Sequence, residues 1–257
     1  MFNTKLLYDF NNIGGKIAVV ISHGFQSSKS APTPLSVAEA LSEAGISSIR
    51  FDFPAHGNSS LDGDHLRIDE CLDHLAEAER IVHEALPDAE ICYFSSSYGA
   101  YLNLLYLATR HHSGTRSFLR CTAVDMAGIM NAWINPDDHK KIEVADFSPA
   151  EAWAQMQKDG FITFADDLGR PLKVTKEFIE DLNKNNLSDI YKEKQLSEKI
   201  VMIHGDEDEV APYEGAKSFA EDNGIKLITV KGADHRFLVP EGAMDRVIEE
   251  AIRFYTE

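Results

Sequence analysis

The sequence predicts an α/β fold, a mostly parallel, doubly wound sheet carrying a helical insertion. Three observations carry this. Short β-branched apolar runs alternate with amphipathic stretches along most of the chain. The apolar runs are nearly continuous, as in strands buried on both faces. One segment, from about Met130 to Leu196, breaks the rhythm and is too long for a plain connection.

The elements follow in order. "KIAVVISHG" is a strand ending in Gly24, and "PLSVAEALSEAG" a helix stopped at Gly45. "ISSIRFDF" is the next strand, and "IDECLDHLAEAERIVHEALP" a long helix closed by Pro87. "EICYFS" and "YGAYLNLLYLATRHH" form the next strand and helix, and "CTAVDMAG" reads as a strand. After the irregular segment come "KIVMIHG", "PYEGAKSFAEDNG", "IKLITVKG" and "GAMDRVIEEAIRFYTE", alternating strand and helix. Within the segment, "SPAEAWAQMQKDG" and "VTKEFIEDLNKN" read as helices and "FITFADDLGRPLKV" as a hairpin or loop. The division this implies is a core over residues 1–129 and 197–257, with a cap insertion over 130–196.

A chain of 257 residues is long enough for one large domain or one domain with an insertion. It is 44% hydrophobic and 26% charged, with 25 Lys+Arg against 42 Asp+Glu and a net charge of −17. So acidic a surface repels nucleic acid and anionic membrane, and neither is expected as a partner. Cys71, Cys92 and Cys121 are odd in number and form no C-x-x-C pair, so they read as reduced structural cysteines. "MFNTKLLYDFNN" lacks a signal-peptide pattern, and no apolar run approaches the roughly 18 residues that span a bilayer. The expected address is the cytoplasm, and a homodimer is compatible with this surface.

Three serines, Ser95, Ser96 and Ser97, sit between a strand and a helix. In an open parallel sheet, ligands bind beyond the carboxyl ends of the strands. A sharp strand-to-helix turn crowds the backbone two residues either side of its apex, so those flanks must be small. Ser95 at the apex would have Tyr93 as a flank, and Ser96 would have Phe94 and Tyr98. Only Ser97, flanked by Ser95 and Gly99, fits. The competing reading is a polar turn in which Ser97 merely caps the helix.

A serine nucleophile needs a base oriented by a third group. His65, His74, His83, His111, His112 and His139 lie in helix-like or cap segments and read as solvated surface. His235, in "KGADHRFLVP", follows the last strand, which places it at the sheet edge holding Ser97. The acid should come from another strand-end loop. "IVMIHGDEDEVAP" offers Asp206, Glu207, Asp208 and Glu209, and Asp125 is the alternative after the preceding strand. The helix N-terminus after Ser97 supplies one oxyanion donor, the backbone N–H of Tyr98.

With "HGFQSS", "FDFPAHGNSS", "SSSYGA" and the pair "HGDEDEVAP" and "GADHRF" in this order, the chain resembles the α/β-hydrolase family over nearly its whole length. The resemblance implies a Ser97–Asp208–His235 triad. In that family the acid follows a Gly by three positions and precedes Val-x-Pro, which Gly205, Asp208, Val210 and Pro212 match. It also assigns the second oxyanion donor to the backbone N–H of Phe25, gives His23 a structural role, and marks Ala55 and His56 as departures from the D-x-x-G-x-G-x-S pattern. No metal or organic cofactor is implied.

Within the family the motifs look most like small-capped microbial esterases that include cinnamoyl and feruloyl esterases. The expected partner is a small-molecule ester, held in an acyl pocket between the Phe25 loop and the cap. Trp133, Trp153, Met156, Phe161 and Phe164 are candidates to line it, although each could equally pack the cap onto the sheet. An aminopeptidase, thioesterase or lipase on the same triad is the alternative, and Glu143, Asp146, Asp166 or Asp167 could bind a substrate amine. A non-catalytic receptor on the same scaffold is the third reading.

Overall fold

The structure is a computed structural model that describes residues 6–134, 149–192, 194 and 198–257. In chain order the elements are β1 (Tyr8–Asn11), β2 (Ile17–Ser22), α1 (Pro32–Glu43), β3 (Ser47–Phe51), α2 (Ile68–Ala85), β4 (Glu90–Ser96), α3 (Tyr98–Thr109), β5 (Arg116–Arg120) and α4 (Met126–Ile134). Then follow α5 (Pro149–Asp159), β6 (Phe161–Ala165), β7 (Pro171–Thr175), α6 (Lys176–Lys184), α7 (Leu187–Tyr191), β8 (Lys199–Gly205), α8 (Tyr213–Asp222), β9 (Lys226–Val230) and α9 (Ala243–Thr256).

Seven strands form one sheet in the order β1-β3-β2-β4-β5-β8-β9. All neighbours run parallel except β1, which pairs antiparallel with β3. Successive strand residues point to opposite faces, and both faces are buried. Val20, Tyr93, Leu119 and Met202 belong to one core, which takes in residues of α2, α3 and α8. Val19, Ile21, Phe94, Phe118, Val201 and Ile203 belong to the other, with residues of α1 and α9. Each such side chain contributes about 1.5–3 kcal/mol by leaving water, which is why the strands read as apolar runs. The strand order reverses between β3 and β4 on either side of β2. The chain therefore leaves the sheet in opposite directions there, which opens a crevice at the carboxyl ends of β2 and β4.

The sheet differs from the sequence expectation in one strand. The stretch "CTAVDMAG" is not extended; the strand is the preceding "RSFLR". Cys121 adopts φ +46° and turns the chain out of the sheet. Asp125 Oδ1 then accepts from Gly128 N at 2.9 Å at the start of α4. Arg116 and Arg120 at the strand's ends mask its apolar centre, Phe118 and Leu119, from a hydropathy reading.

Between β5 and β8, the described residues hold α4 to α7 and a separate hairpin, β6–β7. The hairpin turn is held by Arg170, whose Nε and Nη2 donate to Asp166 Oδ2 at 3.0 and 2.7 Å. Glu143, Asp146 and His139 lie outside the described residues.

Candidate active site

Ser97 stands at the junction of β4 and α3 with φ +52° and ψ −114°, a strained conformation for a residue with a side chain. A Cβ on Gly99 would lie 2.5 Å from the His23 carbonyl oxygen and 2.9 Å from that of Ser22. The helix can therefore approach the end of β2 only because residue 99 has no side chain. Ser95 and Ser96 are buried, whereas Ser97 is half-buried. The turn thus presents one of the three hydroxyls to solvent. The Ser95 hydroxyl is enclosed without a hydrogen-bond partner among the described residues, so position 95 uses the small size of serine and not its polarity.

The loop after β2 packs directly on this turn. A Cβ on Gly24 would touch the Ser97 Cβ at 3.4 Å. His23 shapes the loop through both ring nitrogens: Nδ1–H donates to the Gly24 carbonyl at 2.8 Å, and Nε2 accepts from Phe53 N at 3.1 Å. Burial holds His23 down to about pKa 4, so the neutral ring these bonds require persists. Phe25 is enclosed by aromatic rings. Its centroid lies 5.3 Å from His56, 5.6 Å from Tyr98, 6.2 Å from Trp133, 6.1 Å from Phe164 and 6.2 Å from Phe178. The β6–β7 turn clasps the same loop. Gln26 Nε2 donates to the Ala165 carbonyl at 3.0 Å, Asp167 N donates to the Gln26 carbonyl at 2.7 Å, and Ser28 Oγ donates to Asp167 Oδ2 at 3.2 Å. Tyr98 opens α3, so its N–H is among the first-turn donors that have no acceptor within the helix.

Asp208, in the loop after β8, and His235, in the loop after β9, meet through their side chains. His235 Nδ1 lies 2.8 Å from Asp208 Oδ2 and 3.0 Å from Oδ1. The Asp208 carboxylate is buried, and Oδ1 also accepts from Val210 N at 2.9 Å and Ala211 N at 2.8 Å. Burial works against the charge, but hydrogen bonds from His204 and His235 outweigh it and hold the carboxyl well below the usual range. A single residue, Arg120, ties Ser97 to His235. Its carbonyl accepts from Ser97 N at 2.8 Å, and its Nη2 donates to the His235 carbonyl at 2.9 Å. The Arg120 guanidinium also lies 5.0 Å from the Phe237 ring centroid.

The other sequence candidates fall elsewhere. Asp206 Oδ1 accepts from Gly232 N and braces the loop pair without reaching His235. Asp125 is exposed at the start of α4. Trp153 is exposed and Phe161 lies under the Lys173 ammonium, whereas Trp133 and Phe164 face Phe25. Asp166 and Asp167 are engaged by Arg170 and by Ser27 and Ser28. His74, expected at the surface, is buried, with Nδ1 3.0 Å from the Asp52 carbonyl. Phe25, beside which the acyl pocket is expected, is part-buried among these aromatic rings. A cavity of about 240 Å³ lies between the starts of α4 and α8, lined by Val124, Ile129, Ala211 and Ala216, with Asp125 among its walls, and its lining includes neither Ser97 nor His235.

Cys121, His204 and Asp208 bring one possible ligand atom each within 4.8 Å of one another. Their chemistry fits hydrogen bonding better than a cation. Burial raises the Cys121 thiol well above its ordinary range, and Asp208 is already occupied by N–H donors. His204 is the residue that sequence reasoning misses. A histidine inside an otherwise apolar strand run reads as filler, yet its place four residues before Asp208 is a usable signal.

Sheet order, strand-to-helix serine turn and acid–histidine pair define an α/β-hydrolase. The family model described as "Serine aminopeptidase, S33" matches residues 15–168, and the chain belongs to this hydrolase family. Among solved structures it is similar to Est1E from Butyrivibrio proteoclasticus with bound ferulic acid, at 20% identity and TM-score 0.75, covering 100% of this chain and 98% of that one. It is also similar to alpha/beta hydrolase domain-containing protein 10 from mouse, at 16% identity and TM-score 0.72, covering 98% and 94%. A monoacylglycerol lipase from Paleococcus ferrophilus matches at 17% identity and TM-score 0.68, covering 97% and 99%. No curated protein matches the chain in sequence. Among the described residues, no helix is long and apolar enough to cross a membrane.

Proposed function

We propose that the protein is a serine carboxylesterase acting on short or aromatic acyl esters through an acyl-enzyme. The observation that carries this is the strained Ser97 turn, joined through Arg120 to a His235 whose Nδ1 is held by a buried carboxylate. Asp208 accepts from Nδ1–H and leaves Nε2 of His235 as the base. In this reading Ser97 Oγ attacks the ester carbonyl carbon as Nε2 takes its proton. The N–H groups of Phe25 and Tyr98 receive the oxyanion. The C–O bond then breaks, and the alcohol leaves with the proton from His235. Water, deprotonated by the same nitrogen, releases the acid and frees Ser97.

The ferulic acid held by Est1E gives the aromatic acyl class its precedent within the fold. Three buried, unpaired cysteines support a cytoplasmic enzyme. The residues 130–196 are read as a cap over the sheet edge.

The test is kcat/KM on p-nitrophenyl esters with acyl chains of about two to sixteen carbons, a feruloyl ester and aminoacyl amides. Short and aromatic esters should lead. Ser97→Ala should lower kcat on the order of 10⁶-fold, while Ser95→Ala stays active. Preference for long chains, or for aminoacyl amides, would replace the proposal with a lipase or peptidase. Undiminished turnover by Ser97→Ala would remove the triad.

A further inference from the structure

We infer that His204 is a positioning residue, a neutral donor that locks the carboxylate of Asp208 toward His235. This rests on the reading of Ser97, Asp208 and His235 as a triad. The His204 ring is fully buried at the end of β8. Its Nε2 lies 2.8 Å from the Ala211 carbonyl oxygen and 3.0 Å from Asp208 Oδ2. A carbonyl oxygen can only accept, so Nε2 carries a proton; it donates to the Ala211 carbonyl, and Asp208 Oδ2 stands close enough to draw on the same N–H. Nδ1 is buried without a partner among the described residues. A proton there would be an enclosed donor with no acceptor, so the neutral Nε2–H form is the one the site accommodates.

The consequence is a division of labour on one carboxylate. Oδ1 is held by the backbone N–H groups of Val210 and Ala211, and Oδ2 is shared by His204 and His235. Backbone donors to Oδ1 alone leave the carboxylate free to pivot about that oxygen. A second donor on Oδ2 fixes its plane, and with it the ring of His235. His204 also draws off part of the negative charge that His235 would otherwise receive alone. The other charged or titratable groups around the pair are Cys121 and Arg120 at the end of β5, both bonded to the His235 carbonyl. The Asp206 carboxylate accepts from Gly232 N, Glu207 joins the Ala233 carbonyl through its backbone N–H and not its carboxylate, Asp234 bonds the backbone of its own loop, and the Tyr213 ring stands 6.0 Å from His204. Among these groups only the Cys121 thiol also hydrogen-bonds the Asp208 carboxylate, as a weak S–H donor.

The test compares His204→Gln, His204→Asn and His204→Phe, each confirmed folded by circular dichroism. The Gln amide reaches the position of Nε2, whereas the Asn amide stops one methylene short. Phe keeps the ring and deletes the donor. With p-nitrophenyl acetate, Phe and Asn should lose about ten- to a hundredfold in kcat, the worth of one hydrogen bond to a charged group, with KM little changed. The acid limb of their kcat/KM profile should move to higher pH, because the charge of Asp208 is concentrated on His235. Gln should restore both rate and limb. If Asn and Gln are equally impaired, or the acid limb of folded Phe and Asn variants does not move, His204 is a packing residue only. Undiminished activity of Ser97→Ala in the same assay would overturn the triad itself, which the His204 series alone cannot do.

Discussion

Gly99→Ala tests whether the packing of α3 on the end of β2 is what aims Ser97. The added Cβ would stand 2.5 Å from the His23 carbonyl oxygen, 2.9 Å from that of Ser22 and 3.0 Å from the Ser22 Cβ. Two of these are backbone atoms, and β2 is locked between β3 and β4 by parallel pairing. The strand cannot yield locally, so the start of α3 must. From 2.5 Å to the 3.4 Å of ordinary contact the retreat is roughly 0.9 Å. A misplacement of about 1 Å can cost on the order of 10²-fold in rate. Ser97 and the Tyr98 N–H move with that helix start, so the proposed nucleophile and oxyanion donor are displaced together. Overpacking of this kind costs about 1–3 kcal/mol, or roughly 2–12 °C in Tm for a chain of this size. The assay is kcat on p-nitrophenyl acetate beside a thermal melt, with Ser95→Ala as the control. Ser95 has a buried, unpartnered hydroxyl, so its loss should leave Tm unchanged or raised. A Gly99→Ala protein with wild-type kcat and Tm would refute the account of the turn.

Asp208→Asn should lower kcat by several orders of magnitude by presenting an amide to His235, while Asp206→Asn, which loses only a loop brace, should cost less than tenfold; rates of the two variants decide it, and the reverse ranking would move the acid. Ala55→Gly should be neutral or stabilising by up to about 1 kcal/mol in urea unfolding, because Ala55 sits at φ +64° where a Cβ is strained; a loss of stability would show that the methyl group's packing prevails. Acid should destabilise the fold through His23 and His56, which burial holds down to about 4 and about 3. Their folded pKa values lie below the unfolded value near 6.5, so the unfolded chain takes up these protons first. Their contribution is complete above about pH 6.5 and declines as pH falls toward 4 and 3, by about 1.4 kcal/mol per pH unit for each group. His56→Leu should therefore flatten the slope of unfolding free energy between pH 6.5 and 4.5, and an unchanged slope would exclude His56 as its source.

The parts of this fold that are legible in the sequence are those specified locally. The strands β2, β4 and β8 announce themselves because both of their faces are buried, which makes their centres apolar: Ala18–Ile21, Ile91–Phe94 and Ile200–Ile203. The β5 strand hides because its ends carry arginines with long-range duties. Arg116 donates to Glu90 and to the carbonyls of Phe254 and Tyr255, and Arg120 reaches the His235 loop. Nothing near residue 120 in sequence indicates that its guanidinium will be covered by residues 235 and 237.

The same distinction runs through the site. Ser97 is found by a steric rule acting over two residues on each side, and Gly99 satisfies it against a carbonyl that the rule never needs to name. Phe25 and Asp208 are singled out only by resemblance, because the roles proposed for them depend on where their loops are carried. The Phe25 loop is a case in point. His23, His56 and the β6–β7 turn hold it from three directions, and the bonds to Asp167 and Ala165 span about 140 residues of chain. The left-handed backbone at Ala55 explains why a glycine would suit that position, and it also shows what the departure leaves intact. Asp52 still accepts from Lys29 N at 2.7 Å and Asn58 N at 2.9 Å, so the loop keeps its polar anchor while carrying the strain of one methyl group. A motif can therefore lose a glycine and keep its geometry where a buried carboxylate fixes the backbone. It cannot do so at position 99, where the obstacle is the backbone of the neighbouring strand.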